Sequence, residues 1–275
     1  MGSDAERVPV LELERHDDAP LVTVQLMTHE GDIHLLPRAV ASVGSQGINL
    51  ELQIVFDGQP SDRATEIITK TASACHFPVN EYVNEPKVGY YCIPRNRALP
   101  HAWGHYIAHM DADNEWAPNH LRGLLRAIRN PQPGCGFPHF VYSRRTYVDD
   151  NRPRRVELPL GDSPLVLWGP ESRMRLQTPQ GNFVDTGDFL IGKGTLYELA
   201  ERSGFPWNPE CRRFGDWDLV ARLAKYGFRG FAVDQVSHIY HWHGANLQLT
   251  RQVQDVIAIP EAVYDSMVAQ GRIKP

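Results

Sequence analysis

The feature that most restricts what this chain can fold into is a pattern repeated through its first half. Short apolar, β-branched runs are each cut off by a polar or glycine exit and followed by a helical period. Leu21 to Met27 (LVTVQLM) exits through Thr28-His29-Glu30-Gly31, Leu50 to Phe56 (LELQIVF) through Asp57-Gly58, and Gly104 to Met110 (GHYIAHM) through Asp111. A further strand fits Pro78 to Val83. Between these runs, Leu35 to Val43 carries apolar residues at helical spacing, and Ser61 is placed to cap a helix reaching about Cys75. Pro94 to Leu99 reads as a short helix, and Ala117 to Arg129 as a longer one with Pro118 in its first turn. Strands alternating with helices predict an α/β fold, a mainly parallel sheet flanked by helices on both faces. Ligands in such sheets sit at the carboxyl ends of the strands, which marks the segments after Met27, Phe56 and Met110.

The second half is less regular. Gly136 to Val148 reads as a hairpin, and Asn151 to Pro179, rich in Pro, Arg and Gly, as a long loop of the kind that serves as an active-site lid. Order resumes with a strand at Phe189 to Ile191 and helices over Thr195–Ser203 and Asp216–Tyr226. A strand at Phe228 to Val233, a histidine-rich turn and an amphipathic tail over Val253 to Met267 follow. The expected organisation is a polar tail over residues 1–20, one half over 21–130, and a second half over 131–275 of the same domain.

Composition narrows the function. With 275 residues, 42% hydrophobic and 22% charged, the chain is globular, and a net charge of −5 gives it no global field for nucleic acid. The longest stretch free of charged residues, Gln235 to Thr250, contains three histidines and is too short to span a bilayer. The polar start lacks the apolar core of a secretory signal. Four scattered cysteines, Cys75, Cys92, Cys135 and Cys211, have no C-x-x-C spacing. Together these lead to the expectation of a cytoplasmic enzyme in a reducing compartment.

Four constellations carry chemistry. Met110-Asp111-Ala112-Asp113-Asn114-Glu115-Trp116 places two carboxylates one residue apart where a buried strand ends. Hard divalent cations take such oxygen ligands together with phosphates, although an isolated D-x-D is more often a turn. Gly215-Asp216-Trp217-Asp218-Leu219 opens a helical pattern, so Asp216 is either a cap or a carboxylate held to take a proton. His238, His241 and His243 fall within six residues, enough for one metal or phosphate contact but not for a zinc site. Arg95-Asn96-Arg97 is either a solvated helix face or a guanidinium cluster aimed at a pyrophosphate.

Taken in order, these segments resemble family 2 glycosyltransferases of the Rossmann-like GT-A fold. Val22 to Thr28 is similar to the family's first strand, with Met27-Thr28-His29-Glu30 replacing the usual Pro-Thr-Tyr-Asn. Gln53 to Gly58 matches the strand ending in Asp-Asp-Gly, and Pro94 to Leu99 with Gly104 to Ala108 the A-R-N-x-G … G-x-Y-I-x block. Asp111 to Leu121 resembles the metal motif and its helix, and Gly215 to Leu219 the E-D-x-D-L segment, with Gly215 in place of Glu. The resemblance covers about Leu21 to Asn246.

The resemblance implies a nucleotide-sugar donor, UDP by family frequency, and Mn²⁺ or Mg²⁺ as cofactor. It implies that Thr28 and Glu30 line the nucleobase pocket and that Asp57 accepts from the base imide. Arg95 and Asn96 would lie near the base or diphosphate. Asp111 would contact ribose or a metal-bound water, Asp113 would bind the metal, and His243 would complete its shell, with His241 and His238 as weaker candidates. Asp216 would be the general base of an inverting transfer. Asp185 and Thr186, with Trp217 and Asp218, would lie on the acceptor side, in a less regular C-terminal acceptor-binding half. The acceptor expected is a small molecule or soluble saccharide, with peripheral membrane docking through Val253 to Met267 left open and the oligomeric state unreadable. The competing readings are a retaining enzyme with the same metal site, a sugar nucleotidyltransferase, and an inactive sugar-nucleotide- or glycan-binding module.

Overall fold

The first strand, β1 (Val22–Thr28), is buried at every position, with apolar Val22, Val24 and Leu26 on one face and, on the other, Thr23 and Gln25 hydrogen-bonded to Glu51 and Gln53. It runs parallel between β2 (Leu50–Asp57) and β4 (Tyr106–Asp111), and β3 (Val79–Asn84) adds to the far side of β2. The computed structural model describes residues 20–131, 136–149, 154–156, 184–212 and 215–242. Residues 1–19, most of the Asn151 to Pro179 loop and the Val253 to Met267 tail therefore lie outside the described residues.

Helices cover the sheet as the apolar spacing requires. In α1 (Leu36–Gly44) Leu36, Ala39, Val40 and Val43 face inward, and Pro37 sits in the first turn, where its missing N–H costs nothing. The Ser61 hydroxyl accepts from the Ala64 amide at 3.1 Å and starts α2 (Asp62–Ser73), a cap whose removal costs about 1 kcal/mol. Together with α4 (His120–Arg129) these helices bury one core against Val22, Val24, Leu26, Leu52 and Ile54. On the opposite face α3 (Cys92–Ala98), α5 (Lys193–Ser203) and α6 (Gly215–Lys225) share a second core with Ile107, Phe140, Phe189 and Trp207. The fold is α/β, with helices on both faces of one sheet.

Three local expectations need correction. α4 begins at His120, two residues after Pro118, and Asn119 adopts a left-handed turn with φ 68°. The delay has a cause: Glu115 and Trp116 form the short strand β5, antiparallel to Ile239 and His238, and His120 stacks on Trp116 at 4.6 Å. The chain must stay extended until that pairing ends. Second, the hairpin placed at Gly136 to Val148 is one strand, β6 (Phe140–Asp149), whose antiparallel partner β7 (Arg154–Val156) lies further on. Third, the histidine-rich turn is mostly strand, because β9 runs from Gly230 to Trp242.

Beyond β4 the sheet changes character. β8 (Phe189–Gly192) is antiparallel to β4, β6 is antiparallel to β8, and β9 is parallel to β6 with register shifts near Arg144. The order is β3-β2-β1-β4-β8-β6-β9-β5, with β7 on β6, so both halves of the chain share one continuous sheet.

Candidate active site

The carboxyl ends of the parallel strands align. Thr28 pairs with Phe56, Met27 with Asp111 and Asp57 with Asn84, which sets Thr28, Asp57 and Asp111 in one row. Asp111 is bound from both sides. Its Oδ1 accepts from Arg95 Nη2 at 2.8 Å and its Oδ2 from the Thr186 hydroxyl at 3.1 Å. Burial, with the charges of Asp113 and Asp185 adding and that of Arg95 opposing, pushes its carboxyl up to about 6. Arg95 is fully buried, 4.2 Å over the Tyr91 ring and 4.9 Å from that of Trp207. Its Nε and Nη1 have no hydrogen-bond partner among the described residues.

The segment carrying Asp113 is pinned by two distant elements. Arg38 of α1 donates through Nη2 to the Asp113 carbonyl at 2.7 Å and approaches Glu115 at 3.5 Å. His241 of β9 lies 2.7 Å from Glu115 Oε1 through Nε2, and its amide donates to Asn114 Oδ1 at 3.0 Å. The local donor set suits a divalent cation. The charges of Asp113 and Asp185 both push the Asp111 carboxyl up, and Asp32 adds to the cluster, its own carboxyl raised by burial with Asp113 contributing. Among the described residues no three His, Cys, Asp or Glu side chains form a complete metal cluster. That is compatible with Mg²⁺ or Mn²⁺, which take one or two carboxylates and fill the remainder with water and phosphate.

On the expected nucleobase side, side chains are engaged with the protein. The Thr28 hydroxyl, 2% exposed as a residue, donates to Asp32 Oδ1 at 2.8 Å, and the His29 amide donates to the same oxygen at 2.7 Å. Glu30 is exposed and accepts from the Ser61 hydroxyl at 2.7 Å, a contact that lowers its pKa. Asp57 accepts from Asn84 Nδ2 at 2.7 Å and from the amides of Val88 and Gly89 at 3.1 and 2.7 Å, which folds the loop after β3 across the end of β2. Both amide groups of Asn96 hold the Trp207 backbone, at 2.6 and 2.9 Å.

The second half supplies a turn and a helix. Asp185 to Asp188 form a capping box in which the Asp185 carboxylate accepts from the Gly187 amide and that of Asp188 from the Asp185 amide. Asp188 also binds His238 Nδ1 at 2.8 Å and Arg145, so two strands hold the turn that brings Thr186 to Asp111. Asp216 stands at the start of α6, 2% exposed, with Oδ1 accepting from the Trp217 amide at 2.8 Å. Its own amide donates to the Tyr91 hydroxyl at 3.0 Å. Burial, with the Asp216 charge adding, raises that phenol well above its usual range and keeps it a neutral hydroxyl. Trp217 and Asp218 are enclosed, and Asp218 accepts from Arg222 Nε at 2.7 Å and Asn208 at 3.4 Å. His238 and His241 are thus paired with Asp188 and Glu115, while His243 lies outside the described residues.

Several participants went unnoticed in the sequence. Asp32 could have been found from Thr28-x-x-x-Asp32 at a strand exit, a spacing that lets the carboxylate turn back onto the chain. Tyr91, Arg38 and Arg145 carry no local signal, because the partners described above are 43 to 125 residues away.

The family description Glycosyl transferase family 2 matches residues 26–198. The amylovoran biosynthesis glycosyltransferase AmsB of Erwinia amylovora is 24% identical over 196 residues, 70% of this chain and 60% of that protein. The chain spans less than two thirds of the length of the curated relatives it matches. Among solved structures, S. aureus TarS 1-349 in complex with UDP-GlcNAc superposes with a TM-score of 0.65 at 15% identity, over 92% of this chain and 66% of that one. GalNAc-T7 with UDP, GalNAc and Mn²⁺ gives 0.60 at 16% identity, over 83% and 45%. At these identities the structural likeness shows the fold.

Proposed function

The chain belongs to glycosyltransferase family 2, and from that premise we propose that it moves a sugar from a UDP-sugar to an acceptor hydroxyl, with inversion at the anomeric carbon. What supports this reading most is the arrangement of three carboxylates. Asp111 and Asp113 lie at the end of β4, where a ligand of a parallel sheet sits, and Asp216, at the start of α6, is linked to Asp111 through Tyr91 and Arg95. UDP is preferred because the solved neighbours include complexes with UDP and UDP-GlcNAc. A saccharide acceptor fits the biosynthetic role named for AmsB.

In the transfer, the bond between the anomeric carbon and the diphosphate oxygen breaks, and its electron pair leaves with the phosphate. A divalent cation bound at Asp113, with Asp111 beside it, would neutralise the charge developing there. Asp216 takes the proton of the acceptor hydroxyl as its oxygen attacks from the opposite face. Only 2% of Asp216 is exposed, so an acceptor that reaches it would meet a base shielded from bulk water, which would compete poorly as a nucleophile. Asp185 and Thr186 form the neighbouring wall, and Trp217 and Asp218 hold α6 in place from within the core. Thr28, Glu30, Asp57 and Asn96 would then shape the nucleotide pocket largely through the loops they fasten.

Calorimetric titration of UDP, dTDP and GDP, each with Mn²⁺ and with EDTA, tests the donor assignment. The reading expects UDP to bind with Mn²⁺ and to lose most of its affinity in EDTA. Failure of all three nucleotides to bind in the presence of metal would overturn it.

A further inference from the structure

The chain has Gly215 where the family resemblance expects Glu, and the reason lies on the neighbouring helix. A Cβ built on Gly215 would stand 2.5 Å from Cys92 Sγ and 3.0 to 3.1 Å from the ring edge and hydroxyl of Tyr91. The start of α6 is therefore pressed directly onto the start of α3, with no room for a side chain between them. At this contact the Tyr91 hydroxyl accepts the Asp216 amide at 3.0 Å, a link between residues 125 apart in sequence. The same ring carries the Arg95 guanidinium at 4.2 Å, and Arg95 donates to Asp111 at 2.8 Å. Trp207 closes the arrangement, edge-on to Tyr91 at 5.5 Å and 4.9 Å from Arg95, while Asn96 fixes the Trp207 backbone with two hydrogen bonds. Arg95 is fully buried in this cage and has one carboxylate partner among the described residues, so a displacement of Asp111 is passed to the Tyr91 ring.

We infer that Tyr91 is a positioning residue that couples Asp111 on the donor side to Asp216, its ring bearing on Arg95 and its hydroxyl on the first turn of α6. Donor binding at Asp111 then tightens the placement of the base, so that Asp216 is fully restrained only once a nucleotide is present. The inference rests on the donor and base assignments made above. A hydroxyl that merely capped α6 would stabilise the helix equally with and without nucleotide, and this difference separates the two roles.

The test uses the full chain and compares wild type, Tyr91→Phe, Tyr91→Leu and Gly215→Ala. Amide exchange at Asp216 is followed by NMR with and without UDP and Mn²⁺, and UDP affinity by calorimetry. In wild type, UDP should slow exchange of the Asp216 amide by about tenfold. In Tyr91→Phe that amide should exchange about tenfold faster and no longer respond to UDP, with UDP affinity unchanged to within about twofold. Tyr91→Leu, which also removes the ring beneath Arg95, should in addition weaken UDP by about tenfold. Gly215→Ala leaves the Tyr91 side chain in place but crowds it and Cys92 at the same contact, and should also lose the response. A Phe variant that keeps the wild-type response, or a wild type whose Asp216 amide ignores bound UDP, overturns the coupling. If UDP does not bind wild type at all, the donor assignment fails first. If Asp216→Asn releases UDP from UDP-GlcNAc as fast as wild type, the base assignment fails separately.

Discussion

The two halves of the sheet solve the same packing problem by different means. From β1 to β4 every strand is parallel to its neighbour, and each of the first three is followed by its own covering helix. Site residues Thr28, Asp57 and Asp111 then fall in a row as a consequence of register. Beyond β4 the strands are mixed in direction, and β9 pairs with β6 and β5, residues about 90 and 120 positions earlier. There, placement depends on buried polar links rather than on local pattern: Asp188 joins Arg145 and His238, Asp218 joins Arg222 and Asn208, and Tyr91 joins α3 to α6. The row of Thr28, Asp57 and Asp111 is thus set by strand register, and the side carrying Asp216 by specific long-range contacts. The first should tolerate point changes that the second does not.

The largest expected effect of breaking that distinction is at Asp188, which is 1% exposed and holds Arg145, His238 and the Asp185 amide at once. Asp188→Ala should destabilise the fold by about 3–5 kcal/mol in urea denaturation, because two basic side chains lose a shared buried carboxylate. A cost below about 1 kcal/mol would show that the 185–188 turn stands without it. A smaller change is expected at Gly215, where an added methyl meets Cys92 Sγ at 2.5 Å. Gly215→Ala should cost about 1–3 kcal/mol, and Cys92→Ala in the same chain should restore part of it by opening space. If the double variant is as unstable as the sum of the singles, the contact between α3 and α6 has been misread.

The smallest effect is one of pH. His109 and His120 are fully buried, and burial lowers both, His109 well below its usual range and His120 to about 3. A group depressed on folding contributes stability above its unfolded pKa and loses it as pH falls toward the folded value. Between pH 7 and 6 each should therefore cost roughly 0.7 kcal/mol, since the unfolded chain takes up protons that the folded chain refuses. Asp111, raised to about 6, works in the opposite direction and cancels about one of the two histidine contributions below that pH. Urea midpoints measured across the window should fall from pH 7 to 6 and keep falling from 6 to 5. A flat profile above pH 6 would contradict the burial of these histidines.

Much of the donor side was legible because the information is local. An apolar run buried on both faces, a Ser61 cap and a D-x-D at a strand end are each written within a few residues. The second half was harder for a physical reason: partners chosen across a hundred residues leave no period to read. The long strand β9 reads as a strand and a turn because its histidines are polar, and only their partners, buried Asp188 and half-buried Glu115, explain them. The start of α4 was placed too early because Pro118 is compatible with a first turn, whereas the pairing of β5 with β9 overrides that preference. Gly215 could be noticed as a departure in the sequence, but its cause, the Tyr91 hydroxyl and Cys92 thiol against it, exists only in three dimensions.

The central claim is a division of labour: Asp113 on the topologically built side binds metal and nucleotide, and Asp216 on the contact-built side moves the proton. The most direct test compares Asp113→Ala with Asp216→Asn for two quantities, UDP affinity in Mn²⁺ and UDP release from whichever UDP-sugar the wild type consumes fastest. The account predicts that Asp113→Ala loses the Mn²⁺-dependent part of UDP binding. It predicts that Asp216→Asn keeps UDP affinity to within about twofold while turnover falls by about a hundredfold or more. An Asp216→Asn variant that turns over normally, or that loses UDP as badly as Asp113→Ala, would contradict it.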